Sequence, residues 1–197
     1  MKINPEQIGR QIAEDILNEA SPDVGPCFYP GKFKPPHKGH FEAAKYLASK
    51  NYINKVYVII SNVTKFGITP QNSLYIWEEY LKAEPNPKIE VSISKESTPI
   101  KDIFSYMDNN RDIDPIYVAG GAEEVEGIGY FDSIQKRFPN RVRKEVIPDQ
   151  FGRISATQMR AAVKAGNYEE FEKFIPDAAY NKGVTKDVFG ILLKIMK

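Results

Sequence analysis

The chain has 197 residues, long enough for one complete core and too short for two comfortable ones. Its composition, 42% hydrophobic, 12% aromatic and 27% charged, is that of a globular protein, and 27 Lys and Arg against 26 Asp and Glu leave a formal net charge of only +1. That balance excludes the bulk basic field that drives nucleic-acid binding, so a polyanion must be met locally, by a few placed cations and backbone amides.

The first twenty residues carry Glu6, Glu14, Asp15 and Glu19 among their apolar positions, and the longest apolar runs, such as Val56–Ile60, are far shorter than a membrane span. No signal peptide and no membrane partner are expected, and the cytoplasm is the expected location. Segment 5–19 places Ile8, Ile12 and Ile16 on one helical stripe, ended by Ser21-Pro22. Such a stripe serves either as packing on the domain's flank or as a contact surface, which leaves a homo-oligomer open. The single cysteine, Cys27, excludes an internal disulfide and fits a reducing compartment; its apolar surroundings place it in the core.

Beyond that point strands and helices alternate. Cys27–Tyr29 reads as a short strand leading into a loop over 30–38, and a helix follows over 39–50. Residues 55–61 form a β-branched run without polar alternation, as in a strand buried on both faces. Helical periodicity returns over 72–82, then a strand over 89–94, a helix over 99–109, and a buried strand over 115–119 closed by Gly120-Gly121. A helix within 129–138 and a strand near 143–147 come next. Helices over 155–165, 168–174 and 184–196 complete the chain. The order argues for an α/β fold, a doubly wound parallel five-stranded sheet with extra N- and C-terminal helices. The expected division is a helical extension over 1–24, the sheet domain over 25–165, and a helical segment over 166–197 packed on it. Ligands of such sheets bind at the carboxyl ends of the strands, near the point where strand order reverses.

Two segments fall where that rule puts a ligand. In Gly31-Lys-Phe-Lys-Pro-Pro-His-Lys-Gly-His40 the chain's only two histidines, His37 and His40, stand three apart at a helix opening, so both can face one ligand beside free first-turn amides. Gly31 and Gly39 admit close backbone approach, and Lys32, Lys34 and Lys38 put positive charge where phosphates would sit. A zinc site is the competing reading. It wants a further Cys, Asp or Glu, where this loop has lysines, so no protein-held metal is expected. In Gly152-Arg-Ile-Ser-Ala-Thr-Gln-Met-Arg160, Ser155 suits an N-cap with Thr157 in the first turn and Arg160 one turn on, all facing one anion. A plain Ser-capped helix is the ordinary alternative for that segment taken alone.

The first segment resembles the H-x-G-H signature of the nucleotidylyltransferase superfamily. Its wider run is most similar to the G-R-F-Q-P-x-H-x-G-H form of archaeal-type nicotinamide mononucleotide adenylyltransferases. Lys32 stands for Arg and Lys34 for Gln. The second segment is similar to the superfamily's I-S-x-T-x-x-R signature. The resemblance covers roughly residues 26–165. It implies a Rossmann-like fold and transfer of a nucleoside monophosphate from a triphosphate, ATP favoured, to a phosphorylated acceptor, nicotinamide mononucleotide leading, with release of pyrophosphate. Lys32, His37, His40 and Arg160 would then be catalytic. Gly31, Phe33, Gly39, Gly120, Gly121, Ile154, Ser155 and Thr157 would bind nucleotide, with Mg²⁺ bridging substrate phosphates.

Acceptor candidates are Ser61, Asn62 and Lys65, after the second strand, and the one tryptophan, Trp77, which its helical spacing also allows as core. The region Gly120–Glu124 lacks the Asp the family commonly has there. CTP with a polyol or choline-like phosphate is the alternative substrate pair, and a non-catalytic nucleotide- or protein-binding module is the alternative of another class.

Overall fold

The computed structural model describes residues 23–122, 130–152 and 154–196. The helix expected over 5–19, Glu123, Glu124 and Arg153 lie outside them. Five strands form one sheet: β1 (Gly25–Gly31), β2 (Ile53–Ile60), β3 (Ile89–Ile93), β4 (Ile116–Gly121) and β5 (Val142–Ile147). Their order is β3-β2-β1-β4-β5 and every neighbouring pair is parallel. Strand order reverses between β1 and β4, as the alternation of elements predicts for a doubly wound sheet.

The strands bury residues on both faces because helices cover both. On one face lie α1 (Lys38–Ser49) and α2 (Pro70–Ala83), and on the other α3 (Pro99–Asn109) and α4 (Tyr130–Arg137). Alternate residues of the central strands enter different cores. Cys27, Tyr29, Val56, Val58, Tyr117 and Ala119 pack with Phe41, Leu47, Ile76 and Trp77, while Phe28, Ile59, Ile116 and Val118 pack with Ile103, Met107, Phe131 and Ile134. Cys27 is fully buried, and burial raises its thiol pKa well above the usual value, so it is inert packing.

The helix starts are written locally. Thr69 caps α2 in a reciprocal capping box with Asn72 and Pro70 follows it; Thr98 caps α3 ahead of Pro99. β1 runs two residues earlier than the apolar pattern suggests and takes in Gly31.

The C-terminal part is more broken than the periodicity predicts. After β5 come α5 (Asp149–Gly152), α6 (Ala156–Lys164), α7 (Tyr168–Glu172), α8 (Asp177–Asn181) and α9 (Val184–Ile195). Phe171, Ile175, Ala179, Val188 and Leu192 join the same core as Trp77 and Tyr80, so residues 168–196 pack on the face that carries α1 and α2. Among the described residues no helix is long and apolar enough to cross a membrane.

Candidate active site at the strand-order reversal

The β1–α1 connection turns at the carboxyl end of β1. Its geometry is set by the two histidines. His37 is the N-cap of α1 and His40 its third residue; the His40 backbone N–H donates to His37 Nδ1 (3.4 Å) and the His37 N–H donates to His40 Nδ1 (3.3 Å). Histidines thus occupy both positions of a capping box, a role usually taken by Ser or Thr with Glu. The spacing of three, legible in the sequence, is what makes the box possible.

The consequence is chemical. An Nδ1 that accepts from an amide carries no proton, so each neutral ring holds its proton on Nε2 and presents an N–H donor away from the backbone. The rings stack at 3.6 Å between centroids with 20° between planes. Burial lowers the His37 pKa from 6.5 to about 4. His40 is pushed well below its usual value, first by burial and then by repulsion from His37. At neutral pH the pair is therefore two uncharged, aligned donors.

Two cavities meet at this pair, and Tyr29 and His40 line both. The larger, about 600 Å³, is walled by Gly31, Lys32, Phe33, Lys34, Ser61, Lys65, Phe66, Thr98, Pro99, Ile100, Ala156 and Arg160. Four of these are cations and none is a carboxylate, so the field that the near-neutral chain lacks in bulk is concentrated here. The smaller, about 210 Å³, is walled by His37, Gly39, Ala43, Gly121, Ile147, Pro148, Asp149, Phe151 and Ile154, at the ends of β4 and β5. Gly39 stands where a Cβ would lie 2.3 Å from the Phe151 carbonyl oxygen, so the α1 entrance and α5 close against each other only without a side chain.

The lysines of the first segment divide into three. Lys32 is exposed in the larger cavity. Lys34 is only 4% exposed; its Nζ donates to Ser73 Oγ (3.2 Å), which donates in turn to the Phe33 carbonyl (2.7 Å), and burial lowers its pKa to about 8. Lys38 lines neither cavity. Its Nζ pairs with Asp177 at 2.6 Å and its amide donates to the Phe174 carbonyl at 2.7 Å, tying α1 to the C-terminal helices.

In the second segment Ser155 is the N-cap of α6, its Oγ accepting from the Thr157 amide (3.2 Å). Arg160 spans the two segments: Nη1 donates to the Lys34 carbonyl (2.7 Å) and Nη2 to Thr157 Oγ1 (2.8 Å). Both hydroxyls expected to face an anion are thus accepting bonds within their own helix.

Two residues expected on the acceptor side stand elsewhere. Asn62 donates to the Glu96 carbonyl (2.6 Å) and joins the loops after β2 and β3. Trp77 is fully buried, edge-on to Phe33 and packed by Phe41, so it supports the loop from behind and lines neither cavity. Its three-to-four-residue spacing from Leu74, Tyr80 and Leu81 is the ordinary core signature. Ser61 and Lys65 do line the larger cavity; Gly121 lines the smaller, beside the buried Gly120.

The residues missing from the sequence reading are Ser73, Phe66 and the Thr98–Ile100 turn. Thr98-Pro99 is a helix-start signal directly after a strand, which could have placed it at the sheet's carboxyl edge. Ser73 and Phe66 carry no such mark. Among the described residues no group of three or more His, Cys, Asp and Glu side chains is placed to hold a metal ion.

No protein-family model matches the chain, and no curated protein sequence matches it. Among solved structures it is similar to the nicotinic acid mononucleotide adenylyltransferase of Plasmodium falciparum, both complexed with NaAD and complexed with APC. In each case the TM-score is 0.58 at 16% sequence identity, over 85% of this chain and 98% of that one. The likeness is one of fold.

Proposed function

We propose that the protein is a nucleotidylyltransferase that joins a nucleoside monophosphate from a triphosphate, ATP favoured, to a phosphorylated small molecule and releases pyrophosphate. The observation that carries this reading is the reciprocal histidine cap. Two neutral Nε2–H donors sit side by side at the meeting of two cavities, beside the four cations that line the larger one. The fold shared with an adenylyltransferase that binds NaAD supports it. So do the two sequence signatures, which that fold brings together through the Arg160–Lys34 bond.

On this reading the smaller, mainly apolar cavity takes the base and ribose. The triphosphate crosses the His37–His40 pair toward Arg160 and Lys32, and the larger cavity takes the acceptor. An oxygen of the acceptor phosphate forms a bond to the α-phosphorus while the bond from that phosphorus to the β-bridging oxygen breaks, and pyrophosphate leaves with the electron pair. The acceptor oxygen is already anionic, so no general base is needed. Catalysis rests on alignment and on donors aimed at the charge that builds on the phosphoryl oxygens. Neutral histidines suit this work because they donate without a counter-ion and need not gain or lose a proton. Since lysines and an arginine, with no carboxylate among the described residues, line the larger cavity, Mg²⁺ would enter with the triphosphate as part of the substrate.

Nicotinamide mononucleotide and its acid are the leading acceptors. Pyrophosphate release, assayed with each of four triphosphates against mononucleotides, polyol phosphates and phosphocholine, tests the reading. Turnover with CTP and a polyol or choline phosphate would replace the substrate pair and keep the chemistry. Triphosphate binding without turnover across the panel would identify a non-catalytic module and sink the enzymatic reading.

A further inference from the structure

The loop between β2 and α2 brings one aromatic ring onto the site that neither signature contains. Phe66 holds a left-handed backbone (φ 57), followed by Gly67 at φ 77, in a turn closed by the bonds Lys65 N–H to Ile68 O (3.1 Å) and Ile68 N–H to Lys65 O (3.0 Å). A bulky residue rarely adopts that conformation, and Phe66 is still left 48% exposed in it. What the turn achieves is a contact: the Phe66 ring lies over the Arg160 guanidinium, with Cζ 3.9 Å from the ring centroid.

Arg160 is thereby held from three directions. One N–H of Nη1 is taken by the Lys34 carbonyl, one of Nη2 by Thr157, and one face of the plane by the ring. Each terminal nitrogen keeps a second N–H, so an anion can be met without breaking either anchoring bond. The ring's negative face favours the cation that burial alone disfavours, burial being what lowers the Arg160 pKa. The turn is itself braced. A Cβ on Gly67 would lie 2.4 Å from the Ile195 carbonyl oxygen, so the C-terminal end of α9 sits directly against the turn's backbone.

We propose that Phe66 is a positioning residue for Arg160, acting through the guanidinium and not by touching the acceptor, and that the end of α9 at Ile195 keeps its turn in register. The proposal rests on the reading that Arg160 meets the triphosphate. It gives the last helix of the chain a task at the site: fixing the loop that fixes the arginine.

The test is a double-mutant cycle on triphosphate binding, measured by calorimetry with Mg-ATP and Mg-CTP, joined to NMR of the Arg160 Nε–H in the ligand-free protein. Phe66→Leu should weaken binding about tenfold, equivalent to about 1.4 kcal/mol and within the reach of such contacts, while Phe66→Tyr stays within about twofold. On an Arg160→Ala background, Phe66→Leu should cost less than about twofold more, because the group it acts through is gone. In the free protein Phe66→Leu should move the Arg160 Nε–H resonance by removing the ring current, and Gly67→Ala should move it the same way. A full tenfold loss on the Arg160→Ala background would make Phe66 a direct ligand contact and overturn the proposal. An Arg160 resonance indifferent to Phe66→Leu would overturn it too. A wild-type protein that binds no triphosphate would instead sink the nucleotidyl-transfer reading, leaving the resonance arm to decide the Phe66–Arg160 contact by itself.

Discussion

Lowering the pH from 7 to 4 should remove stability from this protein through His37, by an amount the geometry allows to be worked out. His37 is 3% exposed and its Nδ1 accepts the His40 amide, so the folded chain resists protonating it until about pH 4, whereas the unfolded chain takes the proton near 6.5. Between those two values the unfolded state binds more protons than the folded one. Stability from this group is therefore complete above 6.5 and is lost as the pH falls toward 4. The displacement is equivalent to about 3 kcal/mol, a substantial part of the 5–15 kcal/mol or so that holds a typical domain together. His40 lies in the same direction.

Carboxylates also titrate in the lower part of that window, so the assay must be differential. His37→Asn supplies the comparison, because an asparagine oxygen can still accept the His40 amide at the N-cap and does not titrate. Urea unfolding of both proteins at half-unit steps from pH 7.5 to 4 gives two stability curves. Their difference should move by about 3 kcal/mol in favour of the variant at the acid end. Parallel curves would refute the reasoning, for they would mean that the folded protein protonates His37 as easily as the unfolded chain.

Other outcomes follow from the same contacts. His40→Ala should lower turnover a hundred- to thousandfold, about 2.7–4 kcal/mol of barrier, with a much smaller change in triphosphate Kd; near wild-type turnover would contradict its place in the mechanism. Gly39→Ala forces a Cβ to within 2.3 Å of the Phe151 oxygen and should cost about 1–3 kcal/mol, read as a lowered Tm, together with weakened nucleotide binding. Lys38→Gln should cost no more than about 1 kcal/mol and leave triphosphate affinity unchanged, since Lys38 serves an exposed ion pair with Asp177. Lys32→Gln, one turn of loop away, should weaken triphosphate binding and flatten its salt dependence.

What the sequence made legible is what short-range physics controls. Apolar runs of β1, β2 and β4 located the parallel sheet, and the three-residue spacing of His37 and His40 put both rings on one side of a helix start. The capping bonds span those same three residues, so nothing distant could undo them. The fate of the lysines was not legible. Lys32, Lys34 and Lys38 look alike in a row, yet the partners that separate them, Ser73 for one and Asp177 for another, stand 39 and 139 residues away. The sequence leaves Trp77 open between core and acceptor wall for a related reason. Helical spacing shows that a residue is on the inner stripe of α2 but not what lies opposite, and opposite it is Phe33.

The same distinction explains why the chemistry is easier to infer than the acceptor. The groups proposed to handle phosphate, His37, His40, Lys32 and Arg160, come from two contiguous segments at strand-to-helix junctions, where amides and charges are arranged by local rules. The wall proposed to meet the acceptor is assembled from the ends of two connections: Ser61 and Lys65 after β2, and Thr98 to Ile100 after β3. Its shape depends on how those loops are held, by Asn62 on the Glu96 carbonyl and by the α9 terminus against Gly67. Substitutions at those wall positions can alter the acceptor while leaving the histidine cap and Arg160 untouched. Changes of acceptor preference should therefore arise at residues 61–65 and 98–100, and transplanting those two stretches from an enzyme of known acceptor should carry the preference with them. A chimera that keeps this chain's own acceptor preference would show that the choice is made elsewhere, in the smaller cavity or at the histidines themselves.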